Sequence, residues 1–199
     1  MLPIVIVMSY AVVGPYILVS FNQNWGTHAF DTNSLKWHKV DDERLPFFGC
    51  AALQCSSIFL GLSKKDGPVN AYHICVANSG KDHALKLSII VLPLRYMGHE
   101  VDAGPCFSSL DNGRFCSLSY LVDSSTMTPH HEYNELYPRK VRVNLRTYQI
   151  ENLSLLEDPA EMLLDGKPEI IISSQWRQSF KILSPSQGFS ASSFTFLSV

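Results

Sequence analysis

The chain opens with a run of apolar residues, MLPIVIVMSYAVVGPYILVS, that contains no charged side chain. Many of these residues are β-branched, and Gly14-Pro15 interrupts the run with a natural turn pair. The pattern predicts two strands, at residues 9–14 and 16–21, joined by that turn. A signal or membrane anchor over residues 1–20 is the alternative, but a secretory signal needs a basic flank and the first Lys or Arg is Lys36.

The next stretch, GTHAFDTNSLKWHKV, alternates apolar and polar residues on both sides of a polar turn and predicts a β-hairpin. A turn over residues 31–34 would place Phe30 opposite Leu35 and His28 opposite Trp37. We expect His28 to be a packed or edge histidine, since no second ligand-type side chain lies beside it on that face. Four aromatic side chains are expected in the core: Phe30, Trp37, Phe59 and Tyr72.

A repeat runs through the first half of the chain. Sliding the sequence by 41 positions overlays SYAVVGPYILVSFNQNWG on CAALQCSSIFLGLSKKDG, apolar on apolar and turn on turn. The segments AYHICVAN and LKLSIIVLPL then supply a third and a fourth strand. Because four strands in about 40 residues is the size of one propeller blade, the opening run is interpreted as half of a repeated unit.

The second half of the chain is less regular. PCFSSL, GRFCSLSYLVDS and KVRVNLRTYQIE read as strands of a third unit, and EIIISSQW, SFKIL and FTFLSV as short strands after it. We therefore expect an all-β fold, a partial β-propeller of about three four-stranded antiparallel blades at residues 1–42, 43–95 and 104–150. Residues 151–199 are expected to form an irregular tail with short strands and a short helix at 159–165.

Composition excludes several classes of function. Charged residues make up 17% and the net charge is −2, so the chain offers no basic surface for nucleic acid or for an anionic membrane. Cys50 and Cys55 would point to opposite faces of an extended segment, which disfavours a shared metal. The chain contains no CxxC pair, and thiols in a reducing compartment, the cytoplasm or nucleus, are the simplest reading of its five cysteines: Cys50, Cys55, Cys75, Cys106 and Cys116.

The clusters of ligand-type and acidic residues are interpreted as surface features. His130-His131-Glu132, with Glu135, lies in a polar loop flanked by prolines, and adjacent histidines on a strand point apart. His99-Glu100-Val101-Asp102 is a similar case, and Asp41-Asp42-Glu43 falls in a link between blades. The GxSxG, Walker, GxGxxG and HExxH motifs are absent. We therefore assign no catalytic, cofactor-binding or metal-binding residue and expect no cofactor.

The run from Phe30 through Asp31 to Trp37 resembles the kelch-repeat signature. SYAVVG, WGTHAFDT, LPFFGCAAL, IFLGLS and NGRFCSLSYLV are similar to segments of a plant family, prominent in grasses, of kelch-like propeller proteins of unknown function. The resemblance covers roughly residues 8–123 and matches the C-terminal half of generally larger proteins. It implies a kelch-type propeller, related in architecture to the kelch propellers of F-box proteins. The usual glycine pair is missing, and no F-box-like segment precedes the repeats, so we carry over no ubiquitin-ligase role.

These patterns favour a non-catalytic protein–protein interaction module with a protein partner of unknown identity. Three blades cannot close a ring, and the unpaired strand edges of an open array invite self-association. The alternative is a secreted or membrane-anchored propeller enzyme, an oxidase or a sugar-acting enzyme, with residues 1–20 as signal or anchor. Kelch-type copper-radical oxidases need a Tyr/Cys crosslink; Tyr72, His73 and Cys75 come closest but lack surrounding ligands. A partial gene product that does not fold alone is a third reading.

Overall fold

The computed structural model describes residues 4–65, 69–78, 85–98, 106–110, 112–122, 127–129, 136–138, 140–156 and 168–183. Fifteen strands and one turn of 3-10 helix, Leu153–Leu156, make up its regular structure, and these described residues contain no α-helix. The prediction of an all-β fold is therefore confirmed. None of these described residues belongs to a helix that could span a lipid bilayer.

The first eight strands form one continuous sheet made of two antiparallel meanders. The first blade unit consists of β1 (Val7–Val13), β2 (Tyr16–Phe21), β3 (Thr27–Asp31) and β4 (Lys36–Asp41). The second blade unit consists of β5 (Phe47–Cys55), β6 (Ile58–Ser63), β7 (Val69–Asn78) and β8 (Leu85–Leu92). The spatial order is β4-β3-β2-β1-β5-β6-β7-β8, and β1 and β5 are parallel, with Tyr10 beside Cys50. The strands that we predicted within the apolar opening run are confirmed.

A separate five-stranded sheet follows the two blade units, in the order β10-β11-β14-β15-β9. It is the third structural unit of the chain and is called the third sheet below. Its strands are β9 (Leu94–Met97), β10 (Cys106–Ser109), β11 (Arg114–Val122), β14 (Lys140–Ile150) and β15 (Ile170–Leu183). The short strands β12 (Met127–Pro129) and β13 (Leu136–Pro138) pair with each other. The third unit thus differs from the expected four-stranded blade, because β9 and β15 add a parallel pair at one edge.

Strand β15 is a single strand, although the sequence suggested two short strands in a tail. It pairs antiparallel with β14 from Ile172 to Leu183, and a bulge at Gln175 shifts the register by one residue opposite Thr147 and Tyr148. The polar run SSQW hid this continuity, because it interrupts the alternation of apolar residues. The expected helix at 159–165, the strand FTFLSV, and the clusters at His99–Asp102 and His130–Glu135 lie outside the described residues.

Two apolar layers hold the two blade units and the five-stranded sheet together face to face. Between the blade units, Ala11, Leu18 and Ala29 of the first pack against side chains of the second: Phe47, Phe59, Tyr72 and Ile74. On its other face the second blade unit packs against the third sheet, and this layer contains Ile58, Leu60, Ala71, Phe115, Tyr148, Ile150 and Ile172. The second blade unit is therefore buried on both faces, which explains its nearly continuous apolar strands.

The hairpin between β3 and β4 has a different register from the one predicted. Its turn occupies residues 32–35, and Phe30 lies opposite Trp37, with the ring centroids 5.1 Å apart. Asp31 stays in the strand and accepts hydrogen bonds from Asn33 N (2.9 Å) and Ser34 Oγ (2.7 Å). Burial of Phe59 and Tyr72 is confirmed, whereas Phe30 is half-buried and the prediction for Trp37, which is 57% exposed, was wrong.

The two blade units repeat with an offset of 42 residues in β2 and β3, one more than the sequence overlay suggested. The turn residues Gly14 and Ser56 then coincide, and both have positive φ, 55° and 42°. With this offset Leu18 matches Leu60, and each side chain faces the following sheet. A shift of one residue exchanges the two faces of a strand. The sequence could not distinguish the overlays because both faces of β2 and β6 are apolar.

Candidate partner-binding cleft between the blade units

The connector from β4 to β5 is held by a chain of hydrogen bonds from the first blade unit. The backbone N–H of Leu45 donates to Ser20 Oγ (2.9 Å), and Thr27 Oγ1 donates to the carbonyl of Glu43 (2.7 Å). Ser20 Oγ and Thr27 Oγ1 are 3.0 Å apart. Because the Thr27 proton is used on Glu43, Ser20 must be the donor in that middle bond. Ser20 and Thr27 are fully buried, so each bond provides a partner for a polar group that would otherwise be buried without one, at a cost in stability.

Gly26 allows the connector to come this close. Its φ is +77°, a conformation that side chains disfavour, and a Cβ at this position would lie 2.2 Å from the carbonyl oxygen of Asp41. The same Cβ would be 2.9 Å from the Cα of Asp42. Backbone atoms on both sides leave no flexible group to move aside, so only glycine fits here.

Lys64 fastens the other side of the connector to the second blade unit. Its Nζ donates to the Leu45 carbonyl (2.8 Å) and to Ser9 Oγ (3.1 Å). The ammonium also lies 5.5 Å from the centroid of the Phe48 ring, a cation–π distance. Burial lowers the pKa of Lys64, and the charge of Arg44 lowers that pKa further. The structure therefore holds a partly desolvated cation at the junction of the two units.

These contacts form one wall of an open cleft of about 600 Å³. Val91, which is 46% exposed, contributes apolar surface. The buried Tyr72 lies behind the cleft, and its hydroxyl donates to the carbonyl of Pro46 at 3.4 Å. Among the residues that the structure describes, the cleft lining carries three cationic side chains, Arg44, Lys64 and Lys65, and one carboxylate, that of Glu43. Positive charge beside an exposed apolar side chain is suited to a ligand that carries carboxylates and some apolar surface.

The acidic residues of the link between blades are placed at this connector, as the sequence indicated. Asp42 is exposed and forms an ion pair with Lys39 at 2.6 Å, which lowers the pKa of its carboxyl. Asp41 Oδ1 accepts a hydrogen bond from the backbone of Glu43 (2.9 Å) and so shapes the turn. These two side chains serve the local structure, and only Glu43 lines the cleft.

Tyr72, His73 and Cys75 do not come together on β7. Tyr72 faces the first blade unit, 5.3 Å from the ring of Phe47, whereas His73 lies on the opposite face with Cys75. Cys75 Sγ is 3.5 Å from His73 Nε2, and burial lowers the pKa of His73. A Tyr72–Cys75 crosslink is therefore excluded by geometry.

The remaining candidate ligands are also dispersed. Within the part of the chain that the structure describes, no three His, Cys, Asp or Glu side chains are grouped closely enough to hold a metal ion. Cys50 lies beside Tyr10, and burial raises the pKa of its thiol. Cys55 packs instead against the layer between the second blade unit and the third sheet. His28 is half-buried near Phe21, which fits the expected packed histidine.

The sequence analysis missed the residues that build the cleft. Ser20 and Thr27 looked like ordinary strand residues, and Lys64 like an exposed turn residue. A signal was available, because at the offset of 42 residues Ser20 and Thr27 match Leu62 and Val69. A facing polar pair in one unit, where its repeat has an apolar pair, indicates a buried hydrogen-bonding role specific to that unit.

The strand order and the stacked meanders define an all-β protein built of blade-type repeats. The chain belongs to the family described as "Protein of unknown function (DUF1668)", whose model matches residues 2–170. No curated protein matches the chain.

A solved structure, the Myceliophteria thermophila Cps50 (Swd1) beta-propeller domain, is similar to 86% of this chain at 16% identity, with a TM-score of 0.33. The match covers 58% of that structure's own chain, so the present chain spans little more than half of it. At this TM-score the likeness carries no argument, and the fold assignment rests on the strand order described above.

Proposed function

We propose that the protein is a non-catalytic interaction module of kelch-like blades, and that its cleft between the blade units binds an acidic segment of a protein partner. The observation that supports this most directly is the convergence of Arg44, Lys64 and Lys65 beside the exposed apolar side chain of Val91. The hydrogen-bonded connector fixes one wall of the cleft before any partner binds. Little conformational entropy is then lost on binding.

The finer features of the proposal rest on the sequence. The Phe30, Asp31 and Trp37 signature supports a kelch-like blade of the plant type, and the lack of paired cysteines supports an intracellular location. The lack of catalytic motifs supports a binding role over an enzymatic one. On scaffolds of this kind, function is carried by side chains grafted onto loops and connectors, as the cleft residues are here.

Affinity purification from plant tissue with matched charge variants tests the proposal. The cleft variant Arg44→Glu/Lys65→Glu reverses two exposed charges and leaves Lys64, which holds the connector, intact. The control variant Lys36→Glu/Lys86→Glu reverses two exposed charges on β4 and β8, outside the cleft lining. We expect the wild type and the control to retain the same partner protein and the cleft variant to lose it.

Salt dependence provides a second readout of the same site. Because the contact is between exposed charges, partner binding should weaken as the ionic strength rises. Retention of the same proteins by the wild type and the cleft variant would contradict the proposal. So would the absence of any protein captured reproducibly by the wild type.

A further inference from the structure

Beyond Ser173, β15 is an open strand edge. β9 pairs with β15 only over residues 170–173, and no other described strand pairs with that side of β15. Residues 174–181 are all exposed, so this part of the strand is accessible along its length. Trp176 and Phe180, 45% and 44% exposed, lie on one of its two faces. Such an edge offers backbone N–H and C=O groups with which an added strand can pair.

The opposite face of this edge carries a group of four cationic side chains. They form two directly opposed pairs across β14 and β15: Arg146 with Arg177 and Arg142 with Lys181. Midway between the pairs, Ser179 Oγ donates to Asn144 Oδ1 at 2.6 Å, which shows that these alternate residues share one face. Arg146 is half-buried and the other three cations are exposed. We name the four cations the basic ladder.

The arrangement of the basic ladder indicates an anionic ligand. Like charges directly opposite each other in a sheet are destabilising. Of the described carboxylates, Glu151 bonds to Ser173, Glu169 forms an ion pair with Arg95, and the others belong to the first blade unit and its connector. Cations on β15 alone would fit the protection of an exposed edge against aggregation. Half of the ladder lies on β14, which has neighbours on both sides and needs no such protection.

We propose that the open edge of β15 binds an extended, doubly phosphorylated segment of a partner protein, at a site separate from the cleft. In a strand added to this edge, the residues beside Arg177 and Lys181 are four apart and both point to the ladder face. Each opposed pair of cations carries two positive charges, which match one phosphate group of about −2. The alternate residues of the segment point to the face of Trp176 and Phe180, so apolar side chains suit these positions.

Fluorescence anisotropy with the full chain and the labelled peptide Val-pSer-Val-Thr-Val-pSer-Val tests the proposal. The unphosphorylated peptide, and one with the two phosphoserines adjacent and therefore on opposite faces, should each bind at least about 10-fold more weakly. Arg177→Thr/Lys181→Thr removes one cation from each pair and should weaken binding by about 10-fold for each lost cation.

Two control variants should bind the doubly phosphorylated peptide as the wild type does. Arg114→Thr removes an exposed cation from the other face of the third sheet, since Arg114 is next to Phe115, which points to the second blade unit. The cleft variant Arg44→Glu/Lys65→Glu separates this site from the cleft. Its failure to bind the peptide would place the phosphates in the cleft and overturn the proposal.

Thermal unfolding of the unliganded proteins shows whether a lost affinity is a lost fold. Because Arg177→Thr/Lys181→Thr relieves two like-charge pairs, it should melt no lower than the wild type by circular dichroism. Arg142→Gln repeats the binding test if the double variant is unfolded. No binding of the doubly phosphorylated peptide by the wild type, or equal binding of the peptide with adjacent phosphoserines, would overturn the proposal. A single-stranded oligonucleotide that binds as tightly as the peptide would also overturn it, in favour of nucleic acid.

Discussion

Replacing Gly26 by alanine tests whether the connector must pass directly over the end of β3. The added Cβ would meet the Asp41 carbonyl oxygen at 2.2 Å and two atoms of Asp42 at 2.9 Å. Because all three are backbone atoms, the connector itself would have to move. Its displacement would break the hydrogen bonds from Leu45 N to Ser20 and from Thr27 to the Glu43 carbonyl.

The expected loss of stability for Gly26→Ala is the sum of a conformational cost and the cost of the two broken hydrogen bonds. A non-glycine residue in the left-handed region costs about 1–2 kcal/mol. Each of the two buried hydrogen bonds adds about 1–3 kcal/mol when one partner is left unpaired. Gly26→Ala should therefore lower the free energy of unfolding by about 3 kcal/mol or more, a large share of the total stability of an ordinary domain.

Gly14→Ala is the matched control for this prediction. Gly14 also has a positive φ, +55°, but a Cβ there would meet no atom within 4 Å. Gly14→Ala should therefore lower the free energy of unfolding only by the conformational cost of a positive φ, about 1–2 kcal/mol. Urea unfolding followed by tryptophan fluorescence measures both variants. Equal losses for Gly26→Ala and Gly14→Ala would refute the close approach of the connector.

Three further predictions concern single side chains. Ser20→Ala leaves the Leu45 N–H unpaired and should lower the free energy of unfolding by about 1–3 kcal/mol in urea, more than Ser34→Ala in the exposed hairpin turn. Burial lowers the pKa of His73, so the folded state binds fewer protons than the unfolded state, and stability should fall as the pH drops through the ordinary value of 6.5. His73→Gln should reduce this dependence between about pH 8 and about pH 5; an unchanged pH profile would contradict it. Burial raises the pKa of Cys116 to about 11, so mass spectrometry should find it alkylated by iodoacetamide only after unfolding, and rapid reaction in the native state would count against its burial.

The fold could be predicted from the sequence where alternation and turn chemistry agree. Gly14-Pro15 and the β-branched runs around it were sufficient to predict strands β1 and β2. The hairpin register was missed by one residue because Asp31 supports its turn from the strand, and Leu35 adopts a positive φ of 56° that few leucines adopt. Strand β15 was missed because its pairing with β14 outweighs the polar composition of its middle.

The cleft was less predictable, since its parts come from distant positions. Lys64 reaches Ser9, 55 residues away in sequence, and no local pattern marks such a contact. Gly26 alone carried a local signal, because glycine before a strand can indicate a close approach of backbone. Which face of a strand packs on the neighbouring unit also depends on the repeat offset. The structure shows that this offset is 42 residues, whereas the apolar pattern alone did not distinguish 42 from 41.

The central claim is that two meanders form one sheet through the parallel strands β1 and β5. Tyr10 and Cys50 are neighbours across that pair, and adjacent strands lie about 4.8 Å apart, a spacing that a disulfide can span. We therefore predict that Tyr10→Cys, treated with a mild oxidant, forms an intramolecular disulfide with Cys50, seen by peptide mapping under non-reducing conditions. Val12→Cys, two residues further along β1, should not form it. No disulfide in the Tyr10 variant, or equal yields in both, would contradict the account.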